Sequence, residues 1–500
     1  MTRATAGKDP SVRDSVEFLL GHERRSLRGV DPTLTVLDYL RTHEHRKGTK
    51  EGCAEGDCGA CTVVLARPAG GRLDYRAVNA CIQLVPTLDG CQVLTVEDLQ
   101  GPDGALHPVQ RALVEAHGSQ CGFCTPGFVM SLFPLWREGG RATRAEIADR
   151  LAGNLCRCTG YGPILAAAER LADTPGATAH LLEREADVLA ELEALADERT
   201  LQVERGGRRF LAPSTLDALA DLLLAHPGAT VLAGSTDVGL WITKQDRQLE
   251  TIIWIGRVAE LRAIRAGTDA IEIGAGVTCT DGMAALAQEW PDMGEVYRRY
   301  ASPPIRNTAT IGGNIANGSP IGDSAPMLIA ASAMLVLRRG RQRRQLPLEQ
   351  FFLAYGKQDR RPDELIEAVI VPRRRPEQRF RAYKVSKRFD QDISAVLGAF
   401  TITLDGDRVR EARIAYGGMA ATPKRALAAE AALRGRAWDE PAVRAAMAAL
   451  AEDFKPITDM RASAGYRLQV ARNLLFKAWL ETTDPGAETR LVGDRRLAHA

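Results

Sequence analysis

The 500-residue sequence predicts a multidomain α+β protein, and three observations carry that prediction. Eight of its ten cysteines fall into two groups of four: Cys53, Cys58, Cys61 and Cys81, then Cys121, Cys124, Cys156 and Cys158. Two glycine-bearing segments, Thr230–Gly239 and Ser302–Asp323, interrupt strand-like apolar runs further on. A hairpin signal at Asp405-Gly406 then passes into alanine-rich helical sequence. A chain of this length holds about three or four domains.

Taken in order, Val16–Leu20 and Arg25–Leu27 read as a hairpin turning at Gly21 and His22. A short helix is expected over Leu34–Leu40, begun by Asp31-Pro32-Thr33. The first cysteine group follows with the spacing C-x4-C-x2-C and a distant fourth member, Cys81. That is the spacing of plant-type [2Fe–2S] proteins. The cluster is a compact anion, so its ligand loop must wrap closely and aim backbone N–H groups at sulfur. Gly52, Gly56 and Gly59 alternate with the ligands and lack the Cβ that would block such an approach. Structural zinc normally uses paired short spacings, and disulfides need an oxidising compartment for which nothing here argues. Strands are expected at Thr62–Ala66, Leu73–Val78 and Val93–Val96.

The second group lies in helical sequence. Pro108–His117 has Val109, Leu113 and Ala116 on one face, and Phe128–Trp136 is an apolar run behind Pro126-Gly127. Thr143-x-x-Glu146 is a capping box opening Ala145–Leu151, which Gly153-Asn154 ends. Two helix–loop–helix units would each present one cysteine pair. Spacing alone leaves iron–sulfur and zinc both open at this site. Cys91 and Cys279 stand outside both groups and read as small buried thiols.

Residues 173–205 change character, with Leu181, Leu182, Val188, Leu189, Leu192 and Leu195 at helical spacing among acidic residues. An amphipathic linker helix is expected there. In Thr230–Gly239 an apolar strand breaks at Gly234 into small and hydroxylated residues, a turn whose N–H groups and hydroxyls can hold a diphosphate. Ser302–Asn314, continuing to Asp323, offers a second loop of this kind. Ile273–Val277 contains a G-x-G, but Cys279 takes the third glycine position and no helix of suitable character is expected after it, so a Rossmann motif is rejected. Thr401–Leu404 and Val409–Tyr416 form the last hairpin, and residues from about Thr483 form a tail.

Composition excludes little else. Hydrophobic content of 45% and charged content of 26% are ordinary. A net charge of +2 gives no reason to expect nucleic acid or a membrane surface, and no apolar run approaches a membrane span. The N-terminus lacks a signal-peptide core, so a cytoplasmic location is expected.

Two motifs then go beyond spacing. Glu51–Cys61 (EGCAEGDCGAC) resembles the plant-ferredoxin domain of the xanthine oxidase family of molybdenum hydroxylases. Gln120–Gly127 (QCGFCTPG) and Gly153–Tyr161 (GNLCRCTGY) resemble the second [2Fe–2S] domain that follows it in that family. The two glycine segments together resemble the family's FAD-binding domain, and Arg381–Ser394 opens a stretch resembling the C-terminal domain of its flavoprotein portion.

The resemblance implies a β-grasp [2Fe–2S] ferredoxin domain over 14–98 and an all-α [2Fe–2S] domain over 99–172. The linker helix over 173–205 comes next. A vanillyl-alcohol-oxidase (PCMH)-type α+β FAD domain would span 206–376, and an α+β domain like that of CO dehydrogenase flavoprotein 378–482. It implies that Cys53, Cys58, Cys61 and Cys81 hold one [2Fe–2S] cluster and Cys121, Cys124, Cys156 and Cys158 the other. FAD would lie on Leu232, Ala233, Gly234, Ser235, Thr236, Asp237 and Val238, and on Thr310, Ile311, Gly312, Gly313 and Asn314. Asp323 and Ile366 would contact the flavin nucleotide, Lys384 the isoalloxazine region, and Tyr300 would place its ring beside the flavin. Asp390 and Asp392 lie in a segment that passes close to the flavin in the family, where it affects the choice of NAD+ or oxygen.

The sequence stops where the family's molybdenum-binding domains would begin. A large molybdopterin-binding partner subunit is therefore expected, in an α2β2 heterotetramer, with NAD+ as final acceptor. Fusion of clusters and flavin in this order favours a purine-hydroxylating member over those acting on carbon monoxide, nicotinate or aromatic thioesters. A stand-alone iron–sulfur flavoprotein serving an external carrier is the rival from another class.

Overall fold

The computed structural model describes residues 10–139, 142–171, 183–484, 486–487 and 489. The chain forms two compact units. One runs to Ala259 and takes in Ser302–Ala309; the other comprises Glu260–Ala301 and the chain from Thr310 onward.

The first unit begins with a five-stranded sheet in the order Glu23–Arg28, Ser15–Leu20, Gln92–Leu94, Thr62–Ala69, Arg72–Asn79. Ser15–Leu20 pairs parallel with Gln92–Leu94, and the other pairings are antiparallel. The helix on this sheet starts later than expected. It covers only Val36–Asp38, with Thr35 Oγ1 accepting from Asp38 N at 3.0 Å, and passes into a wider turn over Tyr39–His43. Asp31 does not cap it, because its carboxylate takes the Thr33 N–H and Arg208 instead. This is the β-grasp arrangement.

Four helices follow: Pro108–Glu115, Thr125–Glu138, Arg144–Leu151 and Gly162–Arg170. The Thr143 capping box is formed as its sequence requires, with Glu146 accepting from Thr143 N at 2.7 Å. Phe128, Leu132 and Phe133 share one core with Val64, Ala77 and Leu94 of the sheet. Each such fully buried Leu or Phe side chain stabilises by roughly 1.5–3 kcal/mol. The ferredoxin-like and helical parts are therefore welded by apolar contact.

Leu181 and Leu182 lie outside the described residues. The acidic helix covers Glu185–Leu195 and packs Val188 and Leu192 on Leu19, Ala66 and Leu73. Thr200–Arg205, within the stretch read as linker, is instead a strand. It belongs to a second sheet in the order Val12–Arg13, Thr200–Arg205, Arg208–Ala212, Thr251–Trp254, Thr230–Leu232. Phe210, Leu232 and Ile252 from this sheet join Phe18, Leu37 and Val63 in a common core.

The second unit has a five-stranded antiparallel sheet in the order Ile264–Ala266, Ala270–Gly274, Leu365–Pro372, Met334–Arg339, Gln342–Pro347. The expectation that no helix of suitable character follows Ile273–Val277 is corrected in part: Cys279–Glu289 is helical, capped by Thr278. Because Ala270–Gly274 is antiparallel to both neighbours, the segment is still no βαβ nucleotide unit. A four-stranded sheet, Gln378–Val385, Val396–Asp405, Arg408–Gly417 and Lys424–Arg425, carries helices Leu427–Leu433, Glu440–Asp453 and Ala464–Thr483 around Phe400, Ile414 and Tyr416. Among the described residues no helix is long and apolar enough to cross a membrane.

Candidate iron–sulfur and flavin sites

In the first cysteine site the loop before Thr62–Ala69 brings Cys53 and Cys58 beside Cys61 and Cys81, the last two buried. The backbone N–H groups of Asp57 and Cys58 both point at Cys53 Sγ at 3.3 Å, and Asn79 Nδ2 approaches Cys61 Sγ at 3.9 Å. A Cβ on Gly52 would sit 2.7 Å from Cys58 Sγ, and Gly56 and Gly59 adopt positive φ, so these glycines are required by the turn. Cys53 interacts with Cys58 and Cys81, and Cys61 with Cys81. N–H groups aimed at sulfur suit an anionic cluster.

The second site is built from helix ends. Cys124 immediately precedes helix Thr125–Glu138, and Cys156 and Cys158 lie between Arg144–Leu151 and Gly162–Arg170. Cys121 touches Cys158 and Cys124 touches Cys156, so each contact joins the two helix–loop–helix units. Burial would raise the Cys156 thiol, but the Thr159 hydroxyl and the N–H groups of Thr159 and Cys158 bring it below its ordinary value. Burial and the neighbouring Cys156 push Cys124 up to about 12. Cys121 and Cys158 are exposed. Cys91 and Cys279 are buried, and burial pushes Cys91 up to about 11.

The two cysteine sites meet through main chain. Leu155 N, one residue before Cys156, donates to Cys58 O at 3.0 Å. Asn154 Nδ2 donates to Gly59 O at 3.2 Å. Sequence reasoning reads Gly153-Asn154 as a helix stop and as the start of a cysteine motif, and neither reading names this junction.

The first glycine loop adjoins the first cysteine site on another side. Leu232 ends its strand fully buried, Ala233 O accepts from Trp254 Nε1 at 3.0 Å, and Gly234 O accepts from Gln83 Nε2 at 3.2 Å. A Cβ on Gly234 would lie 1.7 Å from Thr308 O, so only glycine fits. Ser235 is 3% exposed with φ +64°, and its hydroxyl has no partner among the described residues. A strained, buried, unsatisfied hydroxyl in a phosphate-type turn fits a bound anion. Burial raises the Asp237 carboxyl above its ordinary value. Helix Val238–Thr243 then reaches the cysteine loop: Thr243 Oγ1 donates to Ala54 O at 2.8 Å and Lys244 Nζ to Cys53 O at 2.5 Å.

In the second unit, Thr310 caps helix Ile311–Asn317 by accepting from Gly313 N at 2.9 Å. A Cβ on Gly312 would lie 2.4 Å from Ala275 Cβ, so this glycine serves helix-to-strand packing. Asn314 Nδ2 donates to the Tyr300 hydroxyl at 2.8 Å, tying the ring to the loop. Asp323 and Lys384 form a buried ion pair at 2.5 Å, with Ser394 Oγ donating to the same carboxylate at 2.6 Å. Ile366 lies buried in strand Leu365–Pro372. Arg299 holds the segment containing Asp390 and Asp392: it donates to Phe389 O at 3.0 Å and Lys384 O at 2.9 Å, and its guanidinium lies 4.4 Å from the Phe389 ring centre.

Models of four domain families match the chain. They are a 2Fe-2S iron-sulfur cluster binding domain over residues 20–85, a [2Fe-2S] binding domain over 95–169, the FAD binding domain in molybdopterin dehydrogenase over 203–374, and the CO dehydrogenase flavoprotein C-terminal domain over 381–482. A solved carbon monoxide dehydrogenase from Hydrogenophaga pseudoflava is 31% identical with a TM-score of 0.51, covering 54% of this chain and 94% of that one. The chain belongs to the xanthine oxidase family of molybdenum hydroxylases. It carries that family's two [2Fe–2S]-binding domains and its FAD-binding domain. The xanthine dehydrogenase of Emericella nidulans is 32% identical over 88% of this chain and 36% of its own length. That of Drosophila subobscura is 32% identical over 92% of this chain and 39% of its own. The chain thus spans well under half the length of these curated relatives.

Proposed function

We propose that the chain is the electron-transfer part of a xanthine dehydrogenase, carrying electrons from a molybdenum centre on a large partner subunit to NAD+ in the cytoplasm. The observation that carries the reading is the position of the first cysteine site. It hydrogen-bonds through Cys58 O to the second cysteine site and through Cys53 O and Ala54 O to the first flavin loop. When bound, the two clusters handle single electrons and the flavin gathers them in pairs for its acceptor.

In this reading Cys121, Cys124, Cys156 and Cys158 hold the cluster that receives electrons, and the exposure of Cys121 and Cys158 suits a donor on another subunit. Cys53, Cys58, Cys61 and Cys81 hold the next. The loop Leu232–Val238 takes the FAD diphosphate, with the Ser235 hydroxyl and the loop's N–H groups as donors. Thr310–Asn314 takes the rest of the nucleotide, Tyr300 supports the ring system, and Ile366 and the Asp323–Lys384 pair line the flavin. Because that pair and Ser394 already satisfy one another, their part is a fixed dipole and a dry wall. Arg299 fixes the segment with Asp390 and Asp392 near the acceptor. The purine substrate is supported by 30–32% identity to xanthine dehydrogenases across nearly the whole chain. Assembly is as α2β2 with the molybdopterin-binding subunit.

Purifying the chain with whatever large subunit accompanies it, then assaying xanthine with NAD+ or oxygen, tests this reading. NAD+ reduction dependent on xanthine is expected. Turnover of carbon monoxide or an aromatic heterocycle in its place would move the substrate elsewhere in the family. Absence of any molybdenum-containing partner would favour a stand-alone carrier.

A further inference from the structure

We infer that Asn154 is a positioning residue that sets the spacing between the two cysteine sites, an inference that rests on both sites holding clusters. Asn154 is 4% exposed, and its amide is used on both sides. Nδ2 donates to Gly59 O at 3.2 Å and Thr62 Oγ1 at 3.3 Å, while Oδ1 accepts from Ser131 Oγ at 2.7 Å. The partners come from two ligand-bearing segments other than its own. Gly59 lies between Cys58 and Cys61, Ser131 is on the helix that begins after Cys124, and Asn154 itself is two residues before Cys156.

The surroundings leave this junction no slack. A Cβ on Gly59 would lie 2.1 Å from Gly153 O and 2.6 Å from Asn154 Nδ2. A Cβ on Gly127 would lie 2.2 Å from Gly59 O. Gly153 itself has φ +104°. Backbone thus touches backbone on both flanks, and the one side chain between them offers donors toward the first site and an acceptor toward the second. Aspartate has the same shape but no donor. It would set a carboxylate oxygen against Gly59 O in a buried space, and repulsion there must push the loops apart or rotate the side chain away. A helix stop alone requires none of these contacts, since the helix already ends at Leu151.

The test uses the full chain with its iron restored. Fully reduced protein is examined by low-temperature electron paramagnetic resonance, because the splitting between two reduced clusters falls with the cube of their separation. Wild type is expected to give two [2Fe–2S] signals, each split by the other. Asn154→Asp should keep both signals and the full iron content while the splitting narrows. Ser131→Ala, which removes the bond orienting the amide and touches neither thiol, should narrow it less. Unchanged splitting in Asn154→Asp at full iron content would overturn the inference. Should that variant fail to hold iron, unchanged splitting in Ser131→Ala would overturn it instead. Two wild-type signals without mutual splitting would also overturn it. Fewer than two wild-type signals would defeat the underlying assignment of the clusters.

Discussion

Cys61 and Cys81 are buried inside a β-grasp core, whereas Cys121 and Cys158 stand exposed at the ends of helices. The backbones differ in the same sense. The first site is a wrapped loop whose glycines are forced by contact: a Cβ at Gly52, Gly56 or Gly59 would collide with a neighbour. In the second, Gly122 and Gly160 have positive φ but open space around them, and only Gly127 and Gly153, where the site meets its neighbours, are as tightly confined. The difference teaches which site is interior to the electron path. A carrier with contacts on two sides must be enclosed by its own chain, and a carrier that meets another molecule must keep one face open.

The largest effects come from removing ligands. Cys58→Ser should abolish one [2Fe–2S] signal and also lower the melting temperature, because the empty loop lies against the shared core. Cys156→Ser should abolish the other signal with a smaller thermal cost. Equal melting temperatures for the two variants would break the contrast between enclosed and open sites. Next come the glycines. Gly59→Ala combines left-handed strain with collision against Gly153 O and should cost more than about 3 kcal/mol, measured by denaturant unfolding. Gly122→Ala meets nothing and should cost only the conformational penalty of about 1–2 kcal/mol.

These differences also mark what could be read from the sequence. The spacing within each cysteine motif, the β-grasp strands and the Thr143 capping box were legible because each is fixed within a few residues by spacing, alternation or capping. The junctions between sites were not, because their partners are distant in the chain. Leu155 meets Cys58, Asn154 meets Gly59, and Lys244 meets Cys53 across 191 residues. A glycine in a cysteine motif signals tight approach but does not name what approaches. The helix after Thr278 leaves no mark in the glycine pattern of Ile273–Val277, which lacks the third glycine of a Rossmann turn. The strand Thr200–Arg205 reads as linker in the sequence because the acidic periodicity before it masks the change of period. The Asp323–Lys384 pair was expected as two separate flavin contacts, and nothing local shows that they neutralise each other.

Smaller effects sharpen the same comparison. Ser235→Ala removes a hydroxyl that has no partner among the described residues from the proposed flavin loop, and should weaken FAD retention by about 1 kcal/mol, roughly fivefold, without changing the cluster signals. An unchanged FAD affinity would remove Ser235 from the site. The smallest effect is acid sensitivity in the enclosed domain. The Arg25 guanidinium, with help from the Tyr39 hydroxyl and against burial, holds the Glu44 carboxyl below its ordinary value. Its contribution is therefore fully present above about pH 4.3 and is lost as pH falls through the lowered folded-state value. Glu44→Gln should flatten that acid limb of the melting curve; an unaltered limb would assign the acid sensitivity to other groups.

The central claim is that both cysteine groups hold [2Fe–2S] clusters, one enclosed and one open. Metal analysis together with electron paramagnetic resonance of the reduced wild-type, Cys58→Ser and Cys156→Ser proteins tests it most directly. The account predicts two distinct [2Fe–2S] signals in the wild type, with each variant losing a different one. Zinc at the Cys121 site, or both variants losing the same signal, would contradict it.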